Sequence, residues 1–422
     1  MNRFDKLADW LSWLETLHPV VIEMGLGRVR TVAERLGVLS PGVPVVTVAG
    51  TNGKGSVTAL LEAMLRAHGL RTALYTSPHI LDFNERIRVD GANAGDDDIV
   101  RALAAVDAAR GDISLTYFEF TTLAAFVLFC AQRPDVWVLE IGLGGRLDAV
   151  NVIDPDVAVL TSVGMDHMEF LGTSVEQIGY EKAGIFRHGR PAVVGEQPPA
   201  SVRRAMAELA RPGLLAGRDF AVHPQLQAQP PRWQWQGRSA SGQPVVLDDL
   251  PVPSLALPNA ALALQALHLL PFPVQAQAVH EALCSVVLAG RNQRVDVQGR
   301  ALVVDVGHNP HAIRFLRGEL PRHGVGMRFH VVLGMLADKD IAGVVRELEP
   351  LAQSWHIAPL PGPRGASKAQ LQAALAGSAA PVQAYDDIAA AARAACAAPD
   401  RLPVLALGSF FTVAGVLSWI RT

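Results

Sequence analysis

The chain has 422 residues, half of them apolar, and its 37 basic side chains nearly balance its 40 acidic ones. A single hydrophobic core stops growing near ~250–300 residues, so this length predicts two domains. The balanced charge gives no support for an extended basic surface that binds nucleic acid. It leaves room for a local cationic pocket that binds an anionic small molecule.

The cysteines and the N-terminal segment bear on the compartment of the protein. Cys130, Cys284 and Cys396 are far apart and form no CxxC pair. This spacing predicts neither a disulfide framework nor a zinc site, and we expect reduced, mostly buried thiols. The N-terminus lacks the apolar run of a signal peptide, and no stretch of ~18 apolar residues predicts a membrane span. Together these features predict a cytoplasmic protein.

The first predicted element is an amphipathic helix within residues 1–18, where Leu and Trp side chains recur at helical spacing. From residue 43, short β-rich runs alternate with helical patterns, which predicts a doubly wound parallel sheet. Residues 211–255 are rich in Pro, Gly and polar residues, which predicts small antiparallel strands and turns. We predict strands at 43–49, 72–76, 136–140 and 157–163, and helices at 56–68 and 258–270.

The alternation of strands and helices restarts after the segment LAGRNQRVD (288–296). Further strands are predicted at 301–305, 329–335, 354–359 and 402–408, and the clearest helix is the Ala-rich segment 385–397. We therefore predict an α/β protein with a P-loop, doubly wound N-terminal domain at 1–288. A smaller, Rossmann-like α/β C-terminal domain is predicted at 289–422.

A glycine-rich loop, GTNGKGS at residues 50–56, joins the first strand to the next helix. We call it the phosphate loop, because backbone N–H groups and a helix N-terminus at such a junction bind phosphate. Lys54 would reach the β- and γ-phosphates, and Ser56 would approach Mg²⁺. The usual GxxxxGK[ST] spacing is broken, since Val48 replaces the first glycine and Gly55 separates Lys54 from Ser56. The alternative is a glycine-rich turn with an incidental lysine.

Polar residues follow several predicted strands: Ser77 and His79 after one, Glu140 at the end of another, and Asp166 and His167 after a third. Ligands of open α/β sheets bind at the carboxyl ends of the strands, and carboxylate and hydroxyl oxygens suit Mg²⁺. We therefore predict a Mg²⁺ site beside the phosphate loop. The alternatives are that the Glu140 strand ends at the surface and that the histidine, an atypical Mg²⁺ ligand, has no metal.

Two further features in the N-terminal domain have open interpretations. Lys182, taken alone, is a solvated surface lysine that follows a predicted helix. Residues 141–151 place glycines around Arg146, Asp148 and Asn151. A backbone this permissive can lie close to a flat ligand, or it can form a tight turn.

The C-terminal domain has its own polar cluster at a strand end, made of Asp305, His308 and Asn309. The alternative to a functional role is that Asn309 caps the next helix, with Pro310 at its first position. Arg291 is placed to reach a nucleotide, or is a surface arginine. If both domains offer strand-end polar residues, we expect the reaction centre in the cleft between them.

Short motifs in one order along nearly the whole chain resemble the Mur ligase superfamily. Within it they resemble the dihydrofolate synthase/folylpolyglutamate synthase family, in the bifunctional form of proteobacteria. The motifs are VAGTNGKGS (48–56), TSPH (76–79), FNERIRV (83–89), ISLTYFEFTTL (113–123), LEIGLGGRLDAVN (139–151), DH (166–167), EKAGIFR (181–187), LPNAALAL (257–264), GRNQRV (290–295), DVGHNPHA (305–312), GMLADKD (334–340) and GSF (408–410).

The resemblance implies an ATP-dependent ligase that joins L-glutamate to 7,8-dihydropteroate and adds further glutamates to tetrahydrofolates through an acyl phosphate. It favours a monomer that acts on small molecules, without nucleic acid or membrane partners. The alternatives are a monofunctional folylpolyglutamate synthase, a peptidoglycan amino-acid ligase, and a P-loop switch that hydrolyses ATP without making a bond. The last of these leaves Glu140, Lys182, Arg291 and Asp305 unexplained.

The resemblance also implies roles for individual residues. Lys54 and Lys182 would be catalytic, Lys182 as a carbamate that helps to hold a second Mg²⁺, and His308 is a candidate base. The ATP contacts would be Thr51, Asn52, Gly53, Lys54, Gly55, Ser56, Asn259, Arg291 and Asp305. The metal ligands would be Ser56, Ser77, Glu140, His167 and Lys182. The substrate contacts would be Glu23, Met24, Gly25, Thr116, Phe118, Leu147, Asp148 and Ala149 for dihydropteroate, and His308 and Ser409 for glutamate.

Overall fold

The computed structural model describes residues 3–20, 22–211, 213–225, 227–320 and 328–421. The chain forms two compact units, Met1–Val286 and Val287–Thr422. Each unit contains a mostly parallel sheet whose strands alternate with helices along the chain. The α/β fold class predicted from the sequence is confirmed.

Helices and strands are interspersed along the N-terminal unit. Its helices are α1 (Leu7–Leu17), α2 (Gly27–Leu36), α3 (Lys54–Ala67), α4 (Asp96–Arg110), α5 (Tyr117–Gln132), α6 (Met168–Leu171), α7 (Val175–Ala183), α8 (Ala200–Ala207), α9 (Leu257–Leu267) and α10 (Ala276–Ser285). Its strands are β1 (Val45–Ala49), β2 (Thr72–Tyr75), β3 (Ile87–Val89), β4 (Ala92–Asn93), β5 (Val136–Glu140), β6 (Val157–Leu160), β7 (Ala192–Val194), β8 (Leu214–Leu215), β9 (Ala221–Gln225), β10 (Arg232–Arg238) and β11 (Pro244–Pro251).

The main sheet of this unit has, among the described residues, the strand order β4-β3-β2-β5-β1-β6-β7-β8. Strand β1 lies between β5 and β6 and is parallel to both, with Val48 beside Glu140 and Ala49 beside Leu160. All residues of β1, β5 and β6 are buried, as expected for parallel strands covered on both faces. The segments that follow these three strands therefore leave the sheet at one edge.

The predicted antiparallel region and the predicted N-terminal helix are both confirmed. Strands β9, β10 and β11 form a separate antiparallel sheet, and α9 follows them. Helix α1 buries Leu7, Trp10 and Leu14. In the core, the Trp137 ring stacks on Phe126 of α5 at 5.7 Å between ring centres, which anchors α5 against β5.

The strands of the C-terminal unit are β12 (Gln293–Val297), β13 (Arg300–Asp305), β14 (Phe329–Leu333), β15 (Ala352–Ile357), β16 (Val382–Ala384) and β17 (Val404–Leu407). Over the residues that the structure describes, they form a third sheet, of order β12-β13-β17-β14-β15-β16. Strand β12 is antiparallel to β13, and the other pairs are parallel. The helices of this unit are α11 (Pro310–Glu319), α12 (Ile341–Leu348), α13 (Lys368–Ala374), α14 (Ile388–Cys396) and α15 (Phe410–Arg421).

Two bulk properties of the chain are the hydropathy of its helices and the exposure of its cysteines. Within the described ranges, no helix is long and apolar enough to cross a membrane. The prediction of mostly buried thiols is wrong, because Cys130 and Cys284 are exposed and Cys396 is half-buried. Composition indicates how many apolar residues a chain has, but helix orientation decides which of them the core covers.

Candidate active site

The phosphate loop connects β1 to α3, which begins at Lys54. It is fastened to the segment after β6: the Thr51 N–H donates to Ser162 O at 2.8 Å, and the Asn52 N–H donates to Ser162 Oγ at 3.1 Å. The Thr161 hydroxyl donates to Asn52 O at 2.7 Å. The loop is thus held by its neighbouring strand, at the N-terminus of a helix of 14 residues, which is the geometry that binds phosphate.

Gly53 and Asn259 lie against each other at the start of α3. Gly53 has φ +90°, and a Cβ at this position would lie 2.6 Å from Asn259 Oδ1. Asn259 lies in the first turn of α9. The structure therefore brings this asparagine, which is distant in sequence, to the phosphate loop.

Lys54 and Lys182 converge on one backbone carbonyl. The Lys54 ammonium donates to Gly50 O at 3.1 Å and to Thr51 O at 3.4 Å. The Lys182 amine donates to the same Gly50 O at 3.0 Å. Lys182 lies within α7 and its exposure is only 4%, so its interpretation as a solvated surface lysine is wrong. Helix α7 turns this side chain toward the loop instead of toward water.

The protonation of Lys182 is strongly affected by this position. Burial, and to a lesser extent the positive charge of Lys54, lowers the pKa of Lys182 to about 7, while Asp166 and Asp148 act in the opposite direction. A large fraction of Lys182 is therefore a neutral amine near pH 7, which is the nucleophilic form of lysine.

Asp148 organises the glycine-rich segment that follows β5. Its carboxyl group accepts hydrogen bonds from the N–H groups of Leu143, at 2.8 Å, and Val150, at 3.0 Å, and it caps the 3₁₀ turn Ala149–Val152. Burial raises the pKa of Asp148 to about 7, although these backbone donors and Lys54 act in the opposite direction. The segment is therefore a tight turn with a fixed shape.

The same segment also packs on α7. A Cβ at Gly145 would lie 2.9 Å from the backbone oxygens of both Glu181 and Lys182. The Asn151 side-chain amide donates to Arg146 O and Gly184 O, each at 3.1 Å. Glycine is needed at 145 because backbone approaches backbone there, and this close contact fixes the position of Lys182.

The strand-end residues Glu140 and Ser77 are adjacent. The Ser77 N–H donates to Glu140 Oε2 at 3.3 Å, and Glu140 is only 5% exposed. The alternative in which this strand ends at the surface is therefore wrong. Nearby, His79 Nδ1 accepts from Arg86 Nε at 2.8 Å, and burial together with the Arg86 charge lowers the pKa of His79. His79 is consequently a neutral ring.

Asp166 and His167 follow β6 at the same edge of the sheet. His167 has φ +50° and precedes α6, and its N–H donates to Asp166 Oδ1 at 2.9 Å. The His167 side chain is 41% exposed. This left-handed conformation is uncommon for residues with a Cβ.

The predicted metal ligands suit a hard cation such as Mg²⁺ if Lys182 is a carbamate. Among residues with described positions, no three His, Cys, Asp or Glu side chains form a group that could hold a metal. The five predicted ligands supply hydroxyl oxygens, one carboxylate and one imidazole, and oxygen donors are those Mg²⁺ prefers. An unmodified lysine amine is not such a donor, whereas a carbamate would add two oxygens. The five are Ser56, Ser77, Glu140, His167 and Lys182.

Thr116 and Phe118 begin helix α5 beside the glycine-rich segment. Thr116 is the N-cap, and its Oγ1 accepts from the Glu119 N–H at 3.2 Å while Glu119 Oε2 accepts from the Thr116 N–H at 2.8 Å. The Phe118 ring lies so close to Gly142 that a Cβ there would be 2.5 Å from its Cζ. The two segments predicted to bind the pterin therefore meet.

The N-terminal loop reaches the same region. Met24 Cε lies 3.8 Å from where a Cβ of Gly144 would be, and Leu171 of α6 lies on the same side. The loop around Met24, the start of α5 and the glycine-rich segment thus surround one place. The predicted pterin contacts in these three segments are Glu23, Met24, Gly25, Thr116, Phe118, Leu147, Asp148 and Ala149.

In the C-terminal unit, Asp305 ends β13 and is buried. It accepts hydrogen bonds from the N–H groups of Asn292 at 2.8 Å and Gly307 at 2.7 Å. Burial raises the pKa of Asp305, although the Arg291 charge acts in the opposite direction. The Arg291 guanidinium lies 5.8 Å from the centre of the Phe410 ring.

Two other polar residues of this unit, His308 and Asn309, directly precede helix α11. Asn309 Oδ1 accepts from the Ala312 N–H at 2.8 Å, with Pro310 at the first helical position, which confirms the capping alternative. His308 Nδ1 lies 2.9 Å from Val306 O. Because a carbonyl only accepts, Nδ1 carries a proton in this contact, and in the neutral form of the ring Nε2 is then the acceptor nitrogen.

Ser409 has a structural role that the sequence did not predict. It is buried, and its Oγ accepts from the Thr412 N–H at 3.0 Å at the start of α15. The Thr412 hydroxyl in turn donates to Gly334 O at 2.7 Å. The role of Ser409 toward glutamate stays a prediction.

The sequence prediction missed two side chains beside this site, Arg28 and Glu119, which form an ion pair at 2.9 Å. The Thr116-x-x-Glu119 spacing is a capping box that could have indicated Glu119. Arg28 had no local signal for this pair, because Glu119 is far away in sequence.

Comparison with known proteins places this site in a family. The description "Mur ligase middle domain" matches residues 48–210, and "Mur ligase, glutamate ligase domain" matches residues 290–410. The chain therefore contains both of these Mur ligase domains, in this order.

The chain is 44% identical to the dihydrofolate synthase/folylpolyglutamate synthase of Escherichia coli, over 98% of this chain and 95% of that protein. It belongs to the dihydrofolate synthase/folylpolyglutamate synthase family. The solved structure of E. coli FolC in complex with DHPP and ADP has a TM-score of 0.92 and 42% identity, covering 99% of this chain and 98% of that one. A bifunctional enzyme with Mn, AMPPNP and L-glutamate bound has a TM-score of 0.90 and 43% identity, covering 99% and 98%.

Proposed function

We propose that this protein is a bifunctional ligase that uses ATP to join L-glutamate to dihydropteroate and to extend reduced folates with further glutamates. The observation that carries the proposal is the convergence of Lys54 and Lys182 on Gly50 O in the phosphate loop. The Lys54 ammonium at one end of a phosphate-binding helix suits a reaction in which negative charge develops on phosphate. The Lys182 amine beside it, with its lowered pKa, suits carbamate formation. The ADP, DHPP and glutamate complexes of its relatives support the choice of substrates.

The proposed reaction has two steps. An oxygen of the substrate carboxylate attacks the γ-phosphorus of ATP, the bond to the β-phosphate oxygen breaks, and an acyl phosphate and ADP form. The glutamate nitrogen then attacks the acyl carbon, phosphate leaves, and the nitrogen loses a proton as the amide forms. We propose that Lys54 neutralises the charge of the transferred phosphoryl group and that His308 Nε2, the acceptor nitrogen of that ring, takes the proton.

We propose that Thr51, Asn52, Gly53, Lys54, Gly55, Ser56 and Asn259 contact ATP, together with Arg291 and Asp305 of the C-terminal unit. A divalent cation, when bound, supplies positive charge to the phosphates, and Ser56, Ser77, Glu140, His167 and Lys182 would hold it. Lys182 would serve through a carbamate, formed when its neutral amine attacks CO₂ and releases a proton. Support comes from the lowered pKa of Lys182 and from the scarcity of carboxylates in the donor set. The cytoplasmic location and monomeric state stay predictions.

Product analysis tests the activity. Purified protein is incubated with ATP, Mg²⁺ and L-glutamate, with either dihydropteroate or tetrahydrofolate, and both phosphate and pterin products are measured. We expect phosphate release to depend on glutamate with each pterin, and one glutamate to be added per phosphate. Activity with tetrahydrofolate alone would indicate a monofunctional folylpolyglutamate synthase. Phosphate release that depends on neither pterin nor on glutamate would favour the P-loop switch that hydrolyses ATP without making a bond.

Gly53→Ala is expected to raise KM for ATP about tenfold or more. The added methyl would lie 2.6 Å from Asn259 Oδ1 at φ +90°, where a residue with a Cβ costs ~1–2 kcal/mol. Gly42→Ala is the matched control, because Gly42 has φ +73° but no atom lies within 4 Å of the added carbon. The measurement is steady-state kinetics with ATP varied. Equal KM values in the two variants would argue against ATP binding at this loop.

A further inference from the structure

A chain of charged side chains fixes the loop between α1 and α2. Both carboxylate oxygens of Glu23 are engaged: Oε2 lies 3.1 Å from His18 Nε2, and Oε1 is paired with Arg28. Arg28 also donates to the backbone O of Glu23 at 3.4 Å. The loop is therefore tied through the side chain and the backbone of a single residue.

Arg28 extends this chain to the start of α5. Its Nη2 donates to Glu119 Oε1 at 2.9 Å, and the Glu119 side chain is only 4% exposed. The other Glu119 oxygen accepts from the N–H of Thr116 at 2.8 Å. A single guanidinium thus joins the N-terminal loop to the N-cap of α5, which are two of the three segments that surround the proposed pterin site.

The ionic contacts among Glu23, Arg28 and Glu119 require an arginine at position 28. A planar guanidinium can donate to two carboxylates in fixed directions, whereas a lysine ammonium is a point charge on a flexible stem. The partner carboxylate of Glu119 is buried, and an uncompensated buried charge is costly. Arg28 therefore does two things at once: it compensates Glu119 and sets the position of the loop.

We infer that Arg28 is a positioning residue that holds the loop of Glu23, Met24 and Gly25 over the dihydropteroate site; this inference rests on the proposed function. A second consequence concerns Glu23. Since both of its carboxylate oxygens are engaged by His18 and Arg28, its carboxylate anchors the loop, and the loop meets the pterin through its backbone and Met24.

The kinetic test uses Arg28→Lys, with Arg30→Lys as the matched control. Arg30 is exposed on the same helix, α2. We expect Arg28→Lys to raise KM for dihydropteroate about 10- to 50-fold, while kcat and the KM values for ATP and glutamate stay within about twofold, as for lost uniform binding. Arg30→Lys is expected to match the wild type. A KM for dihydropteroate that is unchanged, or a fall in kcat with all substrates, would overturn the inference.

A double-mutant cycle separates anchoring from direct contact. Glu23 is 44% exposed, so Glu23→Gln leaves no buried charge unpaired and should fold normally. We expect Glu23→Gln to raise KM for dihydropteroate as well. It should have little additional effect in the presence of Arg28→Lys, because both variants break the same set of contacts among Glu23, Arg28 and Glu119. Independent, multiplicative effects would mean that the Glu23 carboxylate contacts the pterin itself, and would overturn the anchoring role.

A third measurement does not depend on activity. Thermolysin cleaves before large apolar residues, and the loop offers Ile22, Met24 and Leu26. We expect cleavage in this loop to be at least about fivefold faster in Arg28→Lys than in Arg30→Lys, since the opening equilibrium of a loop sets its proteolysis. Equal rates would overturn the inference even if the ligase activity is found. Failure of the wild type to use dihydropteroate would contradict the proposed function and leave the proteolysis result as the test of anchoring.

Discussion

Lys54→Ala is expected to reduce turnover to or below the limit of measurement, a loss of about 10²–10³-fold in kcat. Removing one group that stabilises transition-state charge in a water-excluded site costs ~10²–10³, and Lys54 lies at the phosphate loop where that charge would develop. The measurement is glutamate-dependent phosphate release with dihydropteroate. Lys368→Ala is the control, since Lys368 is a partly exposed lysine paired with an exposed aspartate. Unchanged activity in Lys54→Ala would remove the phosphate-loop assignment.

Lys54→Ala is also expected to change the pKa of Lys182. The positive charge of Lys54 helps to lower the pKa of Lys182 to about 7. Without it, the pKa of Lys182 should rise toward its ordinary value, and less of the amine should be neutral at pH 7. We therefore expect a weaker carbamate signal in ¹³C NMR under ¹³CO₂ for Lys54→Ala than for the Lys368→Ala control. An equal signal would mean that Lys54 does not influence this amine.

Lys182→Ala is expected to lower turnover by at least about 10²-fold, because an anionic ligand of the proposed metal site would be lost. Small carboxylates such as formate, acetate or propionate should partly restore activity, since they would supply the missing oxygens in the space the side chain leaves. Glutamate-dependent phosphate release is measured with and without each carboxylate. Lys368→Ala is expected to gain nothing from the carboxylates. Rescue by none of them, with full wild-type metal occupancy retained, would count against the carbamate.

The pH dependence of this modification has a defined direction. Only the neutral amine attacks CO₂, and the pKa of Lys182 is lowered to about 7. Carbamate formation from the ammonium form loses two protons, and formation from the neutral amine loses one. At fixed dissolved CO₂, the ratio of carbamate to unmodified Lys182 should therefore rise about 100-fold per pH unit below about pH 7 and only about tenfold per unit above it, until the site is full. An exposed lysine with its ordinary pKa would keep the steeper dependence well above pH 8. A wild-type ¹³C signal with the steeper dependence in that range would contradict the buried, neutral amine.

The local features of this site could be predicted from the sequence. The phosphate loop follows a buried strand and precedes a helix, and those signals all lie within residues 43–68. Glu140 was predicted at a strand end because parallel strands finish at one edge of a sheet, and the Val48–Glu140 pairing places it there. Motif order added the family, since many short weak matches in one order are specific together.

The features that the sequence could not predict depend on which helices cover the edge of the sheet where the parallel strands end. Lys182 resembled a surface lysine, because a lysine on a helix is usually solvated, and the close packing of Gly145 on α7 was needed to show it buried beside Lys54. The Arg28–Glu119 pair and the approach of Asn259 to Gly53 had no local signal either. A hydrogen bond or a burial cost depends on neighbours brought together from distant parts of the chain, so the tertiary structure alone determined the charge and position of these groups. The sequence by itself determined the fold class, the phosphate loop and the family.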